Sequence, residues 1–209
     1  MEQQFQYYAF ISYKREDEKW AKWLQDRLRW YKFPSKLCRQ ITRLPKKVWP
    51  VFRDNTDLDS GRLEENIRHE LERSHYLIVI CSPEAARSPW VGKEVKYFAT
   101  LHGADKIIPF VVSGIPYSND IETECIHEQI KAISQEELLA INVREEGIGS
   151  FAMKKKRAFI RVVARLLDIK FNTLWQPYER ILRIRKWSTG IGVVFILIRF
   201  IHLVGLLPD

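Results

Sequence analysis

The apolar and polar positions of this chain switch repeatedly between two periods, and each switch marks an element. Tyr7 to Tyr13 is dense in aromatic and β-branched residues and predicts a strand. Trp20, Leu24, Leu28 and Tyr31 recur at helical spacing and predict a helix over Glu16 to Tyr31. A basic connector runs from Phe33 to Lys47, broken by Pro34 and Pro45. Val48 to Arg53 reads as a short second strand, and Leu63, Ile67 and Leu71 mark one face of a second helix. Tyr76 to Cys81 is a continuous apolar run, as in a strand buried on both faces. Ser88 and Pro89 form a strong helix start, an N-cap residue followed by proline at the first helical position, with Val91, Val95 and Phe98 as the core face. Lys106 to Val112 predicts a fourth strand, in which Pro109 implies a bulge or a strand with one side free. Leu138 to Val143 predicts a fifth strand and Phe151 to Leu167 a last amphipathic helix. Between Ser113 and Gln135 the pattern supports only a short helix, over Ile126 to Ile133.

Regular alternation of strand and helix implies a parallel sheet with helices on both faces. Such sheets bind ligands at the carboxyl ends of their strands. Three unusual stretches come directly after strand ends and therefore share one rim: Ser12 to Arg15, Asp54 to Gly61, and Ser82 to Glu94.

Charge changes the picture at the other end of the chain. The net charge is +8. Lys154 to Trp187 holds eleven Lys or Arg and two acids, a local balance of +9, which leaves the remaining residues at −1. A near-neutral body argues against nucleic-acid binding and asks what the basic segment faces. Beyond it, thirteen of the seventeen residues from Ile191 to Leu207 are apolar. As a helix rising 1.5 Å per residue, Trp187 to Leu207 reaches about 31 Å, the thickness of a bilayer core. Arg199 near its middle costs ~2.5–3.5 kcal/mol, while thirteen apolar residues return about 4–8 kcal/mol, so insertion survives the arginine. Arg180, Arg183, Arg185 and Lys186 abut the apolar run, which places the main domain in the cytoplasm of a single-pass membrane protein and the basic segment against anionic lipid. The expected organisation is a domain over 5–168, a basic juxtamembrane segment over 169–187 and a transmembrane helix over 188–207. Packing of the apolar stretch on a protein surface is the competing reading. The three cysteines, Cys38, Cys81 and Cys125, are odd in number and widely spaced, which fits a reducing cytosol. Met1 to Tyr8 has no apolar h-region of a secretory leader.

Several motifs carry a family resemblance. Phe10-Ile11-Ser12-Tyr13-Lys14 resembles the opening strand and loop of Toll/interleukin-1 receptor (TIR) domains. Phe52-Arg53-Asp54 with Asp57-Leu58-Asp59-Ser60-Gly61 is similar to their second strand and its long loop, and Ile67, Leu71 and Ser74 match the next helix. Tyr76 to Ser82, then Ser88-Pro89-Trp90 and Glu94, look like their third strand and the helix bearing the catalytic glutamate. The resemblance covers about Phe5 to Leu167 in the right order, and the segment Phe159 to Arg180 resembles the stretch that joins bacterial TIR domains to a membrane helix.

The resemblance implies a flavodoxin-like five-stranded sheet, self-association and, as in many bacterial members, hydrolysis or cyclisation of NAD+. NAD+ would be a substrate and not a cofactor. Glu94 is then the catalytic carboxylate, because cleavage of the nicotinamide–ribose bond passes through an oxocarbenium-like state that a fixed negative charge stabilises. Trp90 shares its helix face and would pack on a ring of the substrate. Phe10, Ser12, Lys14 and Arg15 would border the same pocket, with the cations near the phosphates. Arg53 and the loop of Asp54, Asp57, Leu58, Asp59 and Gly61 would form the opposite lip and an interaction loop.

Plainer readings stand beside these. Glu94 is otherwise a solvated helix residue, Trp90 a core or interface tryptophan, Phe10 a core residue, Ser12 a helix cap, and Lys14 and Arg15 surface charges. Asp54, Asp57 and Asp59 fit a turn better than a metal site, and the five histidines show no ligand spacing. The alternative function is a scaffold that recruits other TIR domains without catalysis. A phosphoacceptor receiver is disfavoured because Cys81 and Ser82 stand where its aspartate belongs. A dinucleotide-binding dehydrogenase is disfavoured because no Gly-x-Gly-x-x-Gly comes after the first strand.

Overall fold

The computed structural model describes residues 5–33, 38, 41, 44–53, 61–133, 140–144 and 149–176. Its sheet has five parallel strands, β1 (Tyr7–Ser12), β2 (Val51–Arg53), β3 (Ser74–Cys81), β4 (Ile107–Val111) and β5 (Ile141–Asn142), in the order β2-β1-β3-β4-β5. That order is the flavodoxin-like one, and the direction of winding reverses between β1 and β3. The register pairs Phe10 with Phe52 and Leu77, and Ser12 with Val79.

Helices α1 (Glu18–Arg29) and α6 (Phe151–Leu166) cover one face of the sheet. Ala21, Leu24 and Leu28 of α1 are fully buried there, and the Trp23 ring stacks at 6.4 Å on Phe110. Helices α2 (Gly61–Glu72), α4 (Pro89–His102) and α5 (Glu128–Ile133) take the other face, above a core of Phe10, Leu77, Val79, Val91, Val95 and Phe98. Both faces of β1, β3 and β4 are therefore dry, which is why these strands read as unbroken apolar runs.

Several elements differ from their expected extents. The first helix is preceded by a 3-10 turn, Arg15–Asp17. The second strand starts at Val51 and not Val48, since Pro50 has no N–H to extend the ladder, although its carbonyl accepts from Tyr8 N at 2.7 Å. A short helix α3 (Pro83–Ala86) was not expected; the Ser82 hydroxyl caps it by accepting from Ala85 N at 3.0 Å. Helix α4 starts where Ser88 and Pro89 predict, with the Ser88 side chain accepting from Val91 N. Pro109 sits in register with Val79, and among the described residues β5 pairs with Phe110 and Val111 but not with Pro109, so there the proline has a strand partner on one side.

The chain divides into two compact units, Met1–Phe171 and Asn172–Asp209. The expected basic segment over 169–187 is described only to residue 176, and the expected transmembrane helix over 188–207 lies outside the described residues. Among the described residues no helix is long and apolar enough to cross a membrane.

Candidate active site

The crevice at a switch point opens where two neighbouring strands send their connections to opposite sides, here at the carboxyl ends of β1 and β3. Ser12 ends β1 and Ser82 comes just after β3, and both are buried. Strand alternation sends Ser12 to the same face as Phe10, toward α4. Its hydroxyl donates to Oε2 of Glu94 at 2.5 Å. Glu94 is only 5% exposed, an uncommon state for a glutamate, and it lies in the first half of α4. The reading of Ser12 as a helix cap is corrected: its hydroxyl is committed to Glu94, and Lys14 and Asp17 occupy the cap positions of the 3-10 turn and α1.

Ser82 repeats this arrangement with a second carboxylate. Its hydroxyl donates to Oδ2 of Asp17 at 2.5 Å while capping α3. Asp17 is 7% exposed, and burial pushes its carboxyl above the ordinary range against the opposing effect of the Ser82 bond. Sequence reasoning missed Asp17. Its only signal was an acid one turn past a strand end, which is the usual look of a solvated helix start.

Trp90 stands one turn before Glu94, half-buried against the core. The two side chains line a crevice of about 40 Å³ between α2 and α4, together with Ile67, Arg68, Lys93 and Tyr97. The Lys93 ammonium lies 5.6 Å from the Trp90 ring centroid and the Arg68 guanidinium 5.3 Å from that of Tyr97. These two cations were not among the expected site residues; neither falls on the apolar faces marked by Ile67 and Leu71 or by Val91 and Val95.

The other expected residues are spread more widely. Phe10 has no exposed surface and stacks on Phe52 at 5.2 Å, supporting Ser12 from below. Lys14, half-buried, and Arg15, exposed, sit on the rim just past Ser12. Arg53 is not brought to Glu94. Its guanidinium turns to the α1 face, where Nε donates to Gln25 Oε1 at 3.2 Å and Nη1 to Tyr13 OH at 3.1 Å and to Glu18 Oε1 at 3.2 Å. Strand alternation is the reason: Phe52 takes the α4 side, so Arg53 takes the other. Asp54, Asp57, Leu58 and Asp59 lie outside the described residues, and Gly61 is described only as the first residue of α2.

A buried carboxylate held by a hydroxyl at the carboxyl end of β1, beside an aromatic ring and two cations in a crevice between α2 and α4, can face a developing positive charge while the cations meet anionic groups of a ligand. Comparisons with known proteins bear on this geometry. The chain is 36% identical over 110 residues to the NAD(+) hydrolase ApTIR of Actinoplanes sp., a stretch that is 52% of this chain and 14% of that protein. The chain thus spans a small part of the curated relative it matches. Among solved structures it resembles the TIR domains of the activated Roq1 resistosome directly recognizing the pathogen effector XopQ, with a TM-score of 0.48 and 14% identity over 74% of this chain and 98% of that one. The family model for the TIR domain matches residues 9–146, so the chain belongs to the TIR domain family.

Proposed function

We infer that this TIR domain cleaves the nicotinamide–ribose bond of NAD+, with Glu94 as the catalytic carboxylate. The observation that carries the reading is the placement of Glu94: buried, hydrogen-bonded to Ser12 at the end of β1, and lining a crevice with Trp90 between α2 and α4. The 36% identity to a protein named as an NAD(+) hydrolase supports the same chemistry. In the reaction the carbon–nitrogen bond breaks and its electron pair goes to the nicotinamide nitrogen, cancelling the ring's positive charge. The ribose carbon is left oxocarbenium-like, and the Glu94 carboxylate stabilises it until water or an internal nucleophile adds. Ser12 is a positioning residue, since it fixes one carboxylate oxygen. Trp90 offers its ring face to the ribose or nicotinamide, and Lys93 and Arg68 supply charge for the phosphates.

The crevice of about 40 Å³ is far smaller than the several hundred Å³ typical of pockets for molecules of drug size. A pocket for NAD+ therefore needs more than this crevice, and neighbouring copies of the domain in a self-associated form would supply the rest. In this reading the chain is anchored through 188–207 with the TIR domain in the cytoplasm, where NAD+ is available.

The test uses the full chain in lipid nanodiscs, incubated with NAD+, with nicotinamide monitored by chromatography and Glu94→Gln in parallel. Release by the wild type and not by the variant supports the enzyme, and the second product distinguishes hydrolysis from cyclisation. No release from a sample shown by light scattering to be assembled would instead favour the scaffold.

A further inference from the structure

The near-neutral charge of the domain body conceals a strong asymmetry. Residues 27–53 contain nine Lys or Arg and no Asp or Glu. Of these, Arg27, Arg29, Lys32, Lys46 and Lys47 are exposed. Trp30, at the end of α1, is 72% exposed. The Arg29 guanidinium lies 5.4 Å from the Trp30 ring centroid and 5.6 Å from that of Trp49, so the end of α1 and the approach to β2 form one surface. Clustered like charge opposes the compact state, and an anionic partner relieves it.

The topology says where this surface points. Helix α1 runs back along the sheet after β1, so its last turn lies at the amino ends of the strands. Trp49 and Pro50 directly precede β2 and lie at the same edge. Helix α6 runs the same way, and Arg165 in its last turn donates to Asp105 O at 3.4 Å, just before β4. The chain therefore leaves its first compact unit at this edge, and its sequence continues through a basic run to Lys186 and an apolar run from Ile191 to Leu207. Ser12, Ser82 and Glu94 occupy the opposite, carboxyl edge.

We propose that the amino edge of the sheet is a docking face for an anionic lipid surface, with Trp30 and Trp49 at the headgroup boundary and Arg27, Arg29, Lys32, Lys46 and Lys47 over the headgroups. Exposed tryptophan flanked by cations suits the membrane interface, where the ring is amphipathic and each cation strengthens binding about fivefold. Single-stranded nucleic acid also uses cations and rings. Lipid is favoured because the same edge leads into a segment whose length and apolarity fit a bilayer. Docking this way turns the Glu94 rim away from the membrane, open to NAD+ and to neighbouring domains. The inference does not depend on NAD+ cleavage; its preference for lipid over nucleic acid rests on the apolar run at 191–207.

Hydrogen–deuterium exchange of the full chain tests it, with vesicles of phosphatidylcholine alone and of phosphatidylcholine with phosphatidylserine. Slowed exchange over 27–33 and 44–50 is expected with the anionic vesicles only, and it should disappear at high salt. Arg29→Glu with Lys47→Glu should cut the partition onto anionic vesicles at least about 25-fold, with β3 exchange unchanged as the check on folding. Should that variant not fold, Trp30→Ala and the salt series on the wild type read the same contact. Equal protection with both vesicles, or with neither, overturns the proposal. Protection by an oligonucleotide but not by anionic vesicles overturns it in favour of nucleic acid. Binding confined to anionic vesicles, with the edge protected, supports docking while arguing against insertion of the C-terminal run.

Discussion

Gly92 sits on α4 two residues before Glu94, and replacing it with alanine sets two physical effects against each other. Helix propensity alone favours Gly92→Ala by about 0.8–1.0 kcal/mol. The structure opposes it. A Cβ at this position would stand 2.5 Å from Cε1 and 2.7 Å from Nε2 of His127. The imidazole is not free to swing aside, because it is only 7% exposed and held at both nitrogens. Nδ1 accepts from Gln129 N at 3.0 Å, so Nε2 carries the proton and donates to Ser88 O at 3.1 Å. Displacing the ring forfeits two hydrogen bonds at about 0.5–1.5 kcal/mol each. Leaving it in place overpacks the contact, at about 1–3 kcal/mol. Either route outweighs the propensity gain, for a net loss of about 1 kcal/mol. In a chain of this size that lowers the melting temperature by about 2–4 °C. Thermal and urea unfolding of the full chain in detergent would measure it, with Gly92→Ala also placed on a His127→Ala background. There the collision is gone, and the alanine should become neutral or stabilising. A single variant as stable as the wild type, or an equal effect on both backgrounds, would refute the account.

The site and its surroundings have further consequences. Ser12→Ala removes a hydrogen bond to a charged group, about 1.5–3 kcal/mol, and should lower the turnover of NAD+ about 10- to 150-fold, read well below a melting temperature that the same loss lowers by about 3–12 °C; an unchanged rate would remove Ser12 from its positioning role. Burial raises the Asp17 pKa, so the folded chain keeps this proton to a higher pH than the unfolded chain, and the group's contribution to stability falls as pH rises from its ordinary value of 3.8 to the raised folded value. Asp17→Asn should accordingly melt higher than the wild type at neutral pH, with the gap narrowing in acid. Burial lowers the pKa values of His75, His102 and His127, so the unfolded chain takes up these protons first, and stability is full above the ordinary value of 6.5 and declines as pH falls through it; melts at about pH 7.5 and about pH 5.5 should show the decline, and a flat profile would count against it. The Lys155 ammonium lies 4.5 Å from the Trp20 ring centroid and 4.2 Å from that of Trp23. Lys155→Ala should therefore destabilise the packing of α1 on α6 by about 1 kcal/mol, measured by urea unfolding.

What the sequence determined by itself was set by local chemistry and by period. Tyr76 to Cys81 reads as a strand buried on both sides, and Ser88-Pro89 as a strong helix start, because burial and capping act within a few residues. Those signals, with the TIR-like motifs, were enough to put Ser12 and Glu94 on one rim. Tertiary structure decided what each residue on that rim does. Arg53 looked like a pocket lip, yet strand alternation beside Phe52 turns it to Gln25, Tyr13 and Glu18 on the far face. Asp17 looked like a solvated acid, yet Ser82, sixty-five residues away in sequence, buries and bonds it. Lys93 and Arg68 carried no signal in the sequence, yet α2 and α4 bring them to the same crevice as Glu94. The basic connector and the end of α1 read as unrelated until Arg29 joined Trp30 to Trp49. Periodicity reports which face of its own element a residue occupies. It carries no information about which other element folds against that face, because those contacts join segments whose separation along the chain leaves no local trace.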